Sequence, residues 1–408
     1  MLDKNHNCAS DDQTIQFFAG YMLFLNLTAQ WNFLIDVIER YLPRLNRMGD
    51  DARLVFIRHH YVLALIYNTR YPQAELAQRE TSHLSARLGD SKSTAYALAG
   101  DIFISTILGT KSTAEFDAVK NEALAAATAS SDAYIQNWIR YVITQEEFHR
   151  GRMNKARDGA HELMQLGKET GDPRSIGLGL GLLSQIALTS ASYAEGLGYA
   201  EQSLSVAITP IDRSIATSSK ACAFVPLGRV KEGEAILGEY RHSCVSKGEH
   251  YPLPFIEAQL GVCEVLRGNF GKGIEGINKA ITYQKKVGYV GSAYWLQLIL
   301  AEIFLEMLAG KQRPSFLVLL KNLPVLIKAT ITGPARILSL TTPVEYPQYE
   351  RDGFYAGQVE MIRGLLDAAK KRHSQAIHHL TEAKRIFLQF GETPVLARVE
   401  TALAELGQ

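Results

Sequence analysis

Apolar residues recur at helical spacing along almost the whole chain, and strand-like alternation is rare. Glycine and aspartate pairs close these helical segments at an interval of about 40 residues, which is within the range of helical-pair repeats. Examples are Gly89 with Asp90 and Gly171 with Asp172. A glycine suits the left-handed position after a helix end, and a following Asp can cap the next helix. The pattern therefore predicts a chain of helices that end at regular intervals.

A second set of breaks falls midway between the first, for example at Ser192, Gly228 and Gly268. Two breaks per interval predict two helices per repeat, helix A followed by helix B, and about eight to nine such pairs in all. Each pair has an apolar face that only the neighbouring pair can bury. We therefore expect an all-α superhelix, in which successive pairs stack as a solenoid.

One region lacks the helical spacing of apolar residues, and it divides the chain into three parts. Residues 1–332 are predicted to form the helical repeats, 333–352 a loop, and 353–408 the final helix pair with a C-terminal capping helix. The loop prediction depends on the prolines, which end helices and favour extended connections. These prolines are Pro334, Pro343 and Pro347. Two interpretations stay open: a tolerated surface insertion, or a segment that contacts the groove or another domain.

The stretch AQLGVCEVLRGNFGKGIEGINKAI resembles a tetratricopeptide (TPR) repeat. It has a Leu-Gly pair in helix A, a glycine and an aromatic residue at the turn, and two small residues in helix B. The matching residues are Leu260, Gly261, Gly268, Phe270, Gly273 and Ala280. The resemblance implies a TPR-like fold, with extended helices because the interval is near 40 residues rather than about 34.

The end of the chain, AIHHLTEAKRIFLQFGETPVLARVETALAEL, resembles the C-terminal TPR regions of bacterial multidomain signalling proteins. These include ATPase-containing adenylate/guanylate cyclases and large ATP-dependent transcription activators. The resemblance implies a regulatory region that acts with an attached or associated cyclase or ATPase domain. Neither catalytic module is visible in this sequence.

Four glycines and a lysine in GNFGKGIEG suggest a phosphate-binding loop. A P-loop, however, needs the lysine to be followed by Ser or Thr, and it follows a buried strand. Here Gly273 follows Lys272, and the preceding segment is helical. We therefore expect Gly268 to form the helix A/B turn, and Gly273 and Gly276 to permit close helix packing.

The stretch GLGLGLL, at 177–183, resembles a dinucleotide fingerprint only superficially, because Leu182 stands where the third glycine belongs. We expect a tightly packed helix A, with a local hinge of the superhelix as the alternative.

Metal and catalytic motifs are incomplete. HELMQ carries Gln165 where a zinc protease needs its second histidine, and a single Glu-x-x-His, ending at His149, does not make a di-iron site. The pairs His59-His60 and His378-His379 are expected to be surface or packing residues. We expect no metal, no cofactor and no catalysis, although an enzyme whose site is assembled from distant residues stays open.

The net charge, the cysteines and the N-terminus limit the kinds of partner and cellular location that the sequence predicts. The 408 residues carry a net charge of +1, which argues against a nucleic-acid footprint. The four cysteines form no CxxC pair, and the polar N-terminus lacks the apolar segment of a signal peptide. The two most apolar stretches are interrupted by polar residues, so we expect no membrane span and a cytoplasmic location.

The concave face is the remaining candidate site. In TPR arrays helix A lines the inner groove, and the motif register places aromatic and amide residues there. These residues are Trp138, Tyr141, Gln145, Phe148 and Gln185. Such a groove suits an extended peptide or a partner helix. The alternative is that the aromatic residues fill the centre of a tightly wound superhelix.

The sequence thus favours a non-catalytic protein–protein interaction or regulatory scaffold that binds a protein or peptide partner. A peptide-sensing TPR regulator is the alternative of the same architecture. The first ~50 residues resemble an ordinary helix pair, whereas such regulators usually begin with a DNA-binding motif or a small helical bundle.

Overall fold

The computed structural model describes residues 10–309, 316–342, 348–391 and 393–407. Within these ranges the chain folds into α-helices joined by short connections, with a single 3₁₀ turn at Leu388–Phe390. The helices are α1 (Asp11–Leu27), α2 (Trp31–Leu45), α3 (Asp51–Tyr67), α4 (Tyr71–Leu88), α5 (Ser91–Leu108), α6 (Thr113–Ser130), α7 (Ala133–His149), α8 (Met153–Thr170), α9 (Pro173–Thr189), α10 (Tyr193–Val206), α11 (Pro210–Phe224), α12 (Val230–Lys247), α13 (Leu253–Leu266), α14 (Phe270–Val287), α15 (Val290–Ala309), α16 (Phe316–Leu340), α17 (Phe354–Ala369), α18 (His373–Phe387) and α19 (Pro394–Glu405).

Helices that are adjacent in sequence pack as pairs, and the pairs stack side by side. Helix α3 contacts α1 and α5, α5 contacts α7, and α7 contacts α9, so the first helices of successive pairs form an inner layer. Even-numbered helices such as α4, α6 and α8 lie outside this layer, each packed on its partner. This arrangement confirms the prediction of an all-α, TPR-like superhelix.

The junctions between pairs use the caps that the sequence predicts. Gly89 and Gly171 end α4 and α8 in the left-handed conformation, each with φ of 67°. The side chain of Asp90 accepts a hydrogen bond from the Ser93 amide at 2.9 Å, and so caps the start of α5. Local residue choice therefore sets the interval of the array.

Most of the corners within pairs share one backbone geometry despite different residues. At seven of these corners the residue after the left-handed position donates its N–H to the carbonyl five residues earlier, at 2.8–2.9 Å, whereas the α5–α6 corner at Gly109 lacks this bond. Glycine occupies the left-handed position at Gly151 and Gly268, whereas Ala29, Thr69 and Ala191 occupy it at other corners with φ of 56–62°. The turn is thus kept where the glycine signal is lost.

Two sets of contacts close the superhelix on itself. The first joins α3 to the connections that precede α13 and α15. The Tyr251 amide donates to the Tyr67 carbonyl at 3.1 Å, and the Tyr251 and Tyr289 hydroxyls lie 3.0 Å apart. The Tyr71 ring packs edge-on against Tyr289. These uncharged contacts connect the early helix pairs to the late ones.

The second closure is ionic and joins the α7–α8 corner to the segment before α17. The Arg152 guanidinium contacts Glu350 at 2.6 Å, Asp117 at 2.9 Å and Glu147 at 3.1 Å. One residue before Arg152, the Gly151 carbonyl accepts a hydrogen bond from the amide of Phe354 at 3.0 Å. The final helices are therefore fixed against the middle of the chain.

The helix α16 corrects the predicted start of the loop at 333–352. Residues 333–340 are helical, so only the later part of that region connects α16 to α17, and Pro343 and Pro347 lie outside the described residues. Pro334 lies inside the helix, where a proline costs about 3 kcal/mol. The helix continues past it because Ile337 and Leu340 are buried beyond the proline.

The stretch GNFGKGIEG forms a helix corner, as predicted, but the close-packing prediction is wrong for Gly276, where a β-carbon would make only ordinary contacts. Gly268 turns the chain with φ of 81°. A β-carbon on Gly273 would lie only 2.4 Å from the Gly261 carbonyl oxygen, so the glycine allows α13 and α14 to approach closely. The Lys272 ammonium pairs with Glu264 at 2.6 Å. This lysine is therefore part of the packing corner and does not face a phosphate cradle.

The glycine run at 177–183 is likewise helical and lies within α9. A β-carbon on Gly179 would lie 2.7 Å from the Ala160 carbonyl oxygen of α8. This close contact confirms the tight-packing interpretation for Gly179.

The packing role of Gly273 predicts opposite outcomes for two neighbouring substitutions. Gly273→Ala should destabilise the protein by about 1–3 kcal/mol, because a methyl group there forces the two helices apart. Gly276→Ala should be neutral or stabilising by up to ~1 kcal/mol, because its methyl group would make only an ordinary contact, 3.7 Å from the Gly261 Cα. Urea denaturation of both variants measures the difference. Equal stability of the two would contradict the close-approach argument.

Candidate functional site

A central cavity of about 910 Å³ lies inside the closed superhelix. Its wall is formed mainly by the inner helices, from α3 to α17, and by the connections before α13 and α15. Aromatic side chains dominate the wall, and they include Tyr67, Tyr141, Tyr251, Tyr289, Trp295 and Tyr355. Five glutamines contribute amides to the same wall: Gln145, Gln185, Gln259, Gln284 and Gln358.

Four of the five residues predicted for the groove line this cavity. Tyr141, Gln145 and Phe148 project from α7, and Gln185 projects from α9. The Gln145 amide donates a hydrogen bond to the Tyr141 hydroxyl at 2.8 Å, which fixes the orientation of both side chains. The helix A register therefore brings these four residues to one surface.

Trp138 lies one layer behind the cavity wall. It is 5% exposed and stacks on Tyr141 with ring centroids 5.3 Å apart. The Arg174 guanidinium lies 6.0 Å from the Trp138 ring. Trp138 thus supports a wall residue from the core, and its truncation would test packing before it tested binding.

Residues from the connections complete the wall, and no sequence pattern predicts them. Tyr251 and Tyr289 precede α13 and α15, and both reach the cavity through the superhelix closure. Burial raises the pKa of the Tyr289 phenol, so it stays a neutral hydrogen-bonding group. The helix A register points to Tyr67 and Phe103, which occupy α3 and α5, but no local pattern points to the connections.

The cavity reaches solvent on the side of α16. Leu266 and Leu319 belong to its lining and are 44% and 40% exposed, and Arg267 and Pro226 are also exposed there. Arg267 forms a two-oxygen ion pair with Glu234, at 2.6 and 2.8 Å. A ligand of extended shape therefore has an entrance with an apolar rim.

The most deeply buried ion pair lies away from the cavity. Glu146 and Arg150 are fully buried, with 2.7 Å between carboxylate and guanidinium, and neither lines the cavity. Burial raises the pKa of Glu146 to about 6, against the opposing charge of Arg150. This perturbation follows from a structural ion pair next to the Arg152 closure, so it is not evidence for an acid–base catalyst.

Potential metal ligands do not cluster within residues 10–309, 316–342, 348–391 and 393–407. Within those ranges no group of three or more His, Cys, Asp or Glu side chains is placed to hold a metal ion. His59 and His60 pack inside the protein rather than on its surface.

Known structures show the same architecture. A Rap protein in complex with competence and sporulation factor superposes with a TM-score of 0.53 at 13% sequence identity, covering 86% of this chain and 98% of that protein. The two chains share a fold. No protein-family model matches the sequence, and no curated protein matches it. The Rap neighbour supports the TPR-like superhelix, while the more specific resemblance to cyclase and activator C-termini has no counterpart in these comparisons.

Two buried histidines lie in the core behind the aromatic wall. His59 packs against Tyr96 and Trp138, and neither of its ring nitrogens makes a hydrogen bond of ordinary geometry. Burial lowers the pKa of His59 to about 4, and it lowers the pKa of His60 well below its usual value. Both imidazoles are therefore neutral in the folded state near neutral pH. As the pH falls, these histidines are protonated in the unfolded chain at a higher pH than in the folded protein.

This difference predicts an acid-dependent loss of stability that His59→Phe should reduce. Between the unfolded pKa of about 6.5 and the folded pKa of about 4, each such histidine lowers the unfolding free energy by up to ~1.4 kcal/mol per pH unit as the pH falls. His59→Phe should remove one such contribution. Urea midpoints measured across this window, referred to about pH 8 where the histidines are neutral in both states, test the point. Parallel pH profiles for both proteins would contradict it.

Proposed function

We propose that this protein is a non-catalytic regulator that binds an extended peptide in its central cavity. The observation that carries the proposal is the cavity itself, which lies inside the superhelix, opens to solvent beside α16 and is lined by tyrosines and glutamines. Its volume of about 910 Å³ lies at the upper end of the ~300–1,000 Å³ usual for ligand pockets. The space therefore suits a short peptide better than a small metabolite.

The wall chemistry fits a peptide backbone. Glutamine amides both donate and accept hydrogen bonds, so Gln145, Gln185 and Gln284 can pair with peptide N–H and C=O groups. The Gln358 amide oxygen is buried with no hydrogen-bond partner in the described part of the chain, and it offers one acceptor to a ligand. Rigid tyrosine and tryptophan rings supply apolar contact area at low entropic cost.

The structural neighbour supports this reading over a general scaffold. That Rap protein was solved with competence and sporulation factor, a peptide, in complex with it. The shared fold favours the hypothesis of a peptide-sensing TPR regulator. The residues we propose to contact the peptide are Tyr141, Gln145, Phe148 and Gln185, with Trp138 supporting Tyr141 from behind.

We propose that peptide binding acts by changing how the superhelix closes. Helix pairs contact their neighbours along the stack, and distant pairs meet at the two closures and where α5 packs against α15. A ligand that touches both α7 and the Tyr251–Tyr289 connections would bias the closed form, because it gains contacts that an opened superhelix cannot offer. A cytoplasmic partner in bacterial signalling would respond to this change in the superhelix. The resemblance of the C-terminal sequence to cyclase and activator proteins favours an associated cyclase or ATPase domain.

A bulky substitution in the cavity should weaken peptide binding. Ser218→Trp places an indole in the space lined by α11, while Ser205→Trp adds the same ring on the exposed face of α10. A phage-displayed library of random peptides is selected on the wild-type protein, and the enriched peptides are synthesised with a fluorophore. Anisotropy titrations should show Ser218→Trp binding them about tenfold more weakly or worse, a loss of at least ~1.4 kcal/mol, and Ser205→Trp binding them like the wild type.

Thermal melts of all three proteins establish that folding is intact. If the library yields no peptide that prefers the wild type over Ser218→Trp, the cavity is not a peptide site and the proposal fails. Gln145→Ala provides a second test, because it removes one amide without filling the space.

A further inference from the structure

Helix α16 (Phe316–Leu340) carries an apolar stripe on its solvent side. The stripe residues are three, four, seven or eleven positions apart, which places them on one face of a helix. They span about 27 Å along the helix axis at ~1.5 Å per residue. Their exposed fractions are 59% for Leu320, 49% for Leu323, 52% for Ile327, 73% for Ile331 and 43% for Leu338. Large aliphatic residues in an unbroken exposed row of this length call for a partner.

The charges of α16 are all positive. The helix holds Lys321, Lys328 and Arg336 and no Asp or Glu over its 25 residues. Lys321 donates to the Asn269 side chain at 2.5 Å, and Arg336 donates to the Asn278 side chain at 2.6 Å. Within the described ranges, none of the three forms an ion pair with a carboxylate. Their positive charge is therefore available to an anionic partner.

A second copy of this chain is a poor occupant for the stripe. Pairing two α16 helices would bring six positive charges and no negative charge to one contact, which opposes association. A partner helix would need a groove, but the stripe is convex, and Ile331 projects furthest of its members. The occupant must be apolar, anionic and able to receive a projecting helix.

The helix does not cross a membrane in this fold. Two helices, α15 and α16, are long and apolar enough to do so by length and composition. Half of the α15 window is buried within the protein. The face of α16 opposite the stripe is also occupied, because Ala329 and Ile337 are buried and Leu326 lines the central cavity. Only one face of α16 is left for lipid.

We propose that α16 binds the surface of an anionic lipid bilayer and lies in the plane of the interface. The stripe from Leu320 to Leu338 enters the boundary between headgroups and acyl chains, and Lys321 and Lys328 on its flank contact lipid phosphates. One apolar face beside basic residues is the pattern of interfacial helices. The polar residues within the apolar stretches argue only against a helix that spans the membrane. A helix that lies on the bilayer surface does not need to span it.

This placement has a geometric consequence for the central cavity. Val318, Leu319 and Leu326 of α16 belong to its lining, so the helix that meets the lipid also forms part of the entrance. The proposal does not depend on peptide binding, and either can fail without the other.

Vesicle flotation tests the proposal with the full-length protein. Vesicles of phosphatidylcholine alone are compared with vesicles of equimolar phosphatidylcholine and phosphatidylglycerol. The wild type should float with the anionic vesicles only, and less so at high salt. Lys321→Gln/Lys328→Gln should weaken partitioning about fivefold for each lysine. Ile327→Ser/Ile331→Ser should weaken it at least about tenfold, because two apolar side chains leave the interface.

Matched controls lie on other faces of the molecule. Leu76→Ser removes an aliphatic residue that is 60% exposed on α4, and Lys168→Gln/Lys231→Gln removes the same net charge from the exposed faces of α8 and α12. Both should partition like the wild type. Circular dichroism melts show whether each variant is folded.

Three outcomes would overturn the proposal. The first is a wild type that ignores anionic vesicles, or an isoleucine variant that floats undiminished. The second is a dimer in light scattering that Ile327→Ser/Ile331→Ser dissociates, which would assign the stripe to a second copy. The third is lysine-dependent binding to soluble polyglutamate without vesicle binding, which would assign it to an acidic protein.

Discussion

The contact between Tyr67 and Tyr251 joins the early helix pairs to the late ones, and the central cavity depends on it. A stack of helix pairs with contacts only between neighbours would be an open spiral with a groove. The hydrogen bond between these two backbones, the Tyr251–Tyr289 hydroxyl contact and the packing of α5 on α15 join early pairs to late ones. They convert the groove into a cavity with an aromatic wall that opens to solvent on the side of α16.

Closure also explains why charge is distributed as it is. The tyrosine contacts face the cavity and are neutral, whereas the ionic closure at Arg152 lies in the outer part of the junction between α6, α7 and the segment before α17. A guanidinium with three carboxylates around it is held in a fixed orientation. The final helices are thereby positioned by a charged cluster that does not belong to the cavity wall.

Helix periodicity and capping are local properties, and for that reason the sequence predicted them well. The aspartate caps, the corner at Gly268 and the inner position of Tyr141 and Gln185 all follow from patterns within about 40 residues. Contacts between distant residues were not predictable in this way. Tyr251 and Tyr289 occupy short connections with no periodic signal. The helix register predicts which face of α7 carries Trp138, but not that Trp138 lies behind the cavity wall. The helix that continues past Pro334 shows the same limit, since burial of Ile337 outweighs a local helix-breaking preference.

The corners within helix pairs show that the turn does not depend on glycine. A residue with a β-carbon in the left-handed conformation costs about 1–2 kcal/mol in the folded state. It also reduces the entropy of the unfolded chain relative to glycine, by an amount worth about 0.4–1 kcal/mol, so part of the cost is offset and the rest remains. Ala29, Thr69 and Ala191 occupy the left-handed position nonetheless, and the hydrogen bond of the turn is retained at each. The packing of the two helices thus holds the corner in a conformation that its own residue disfavours, so the turn is set by the pair and not by a single glycine.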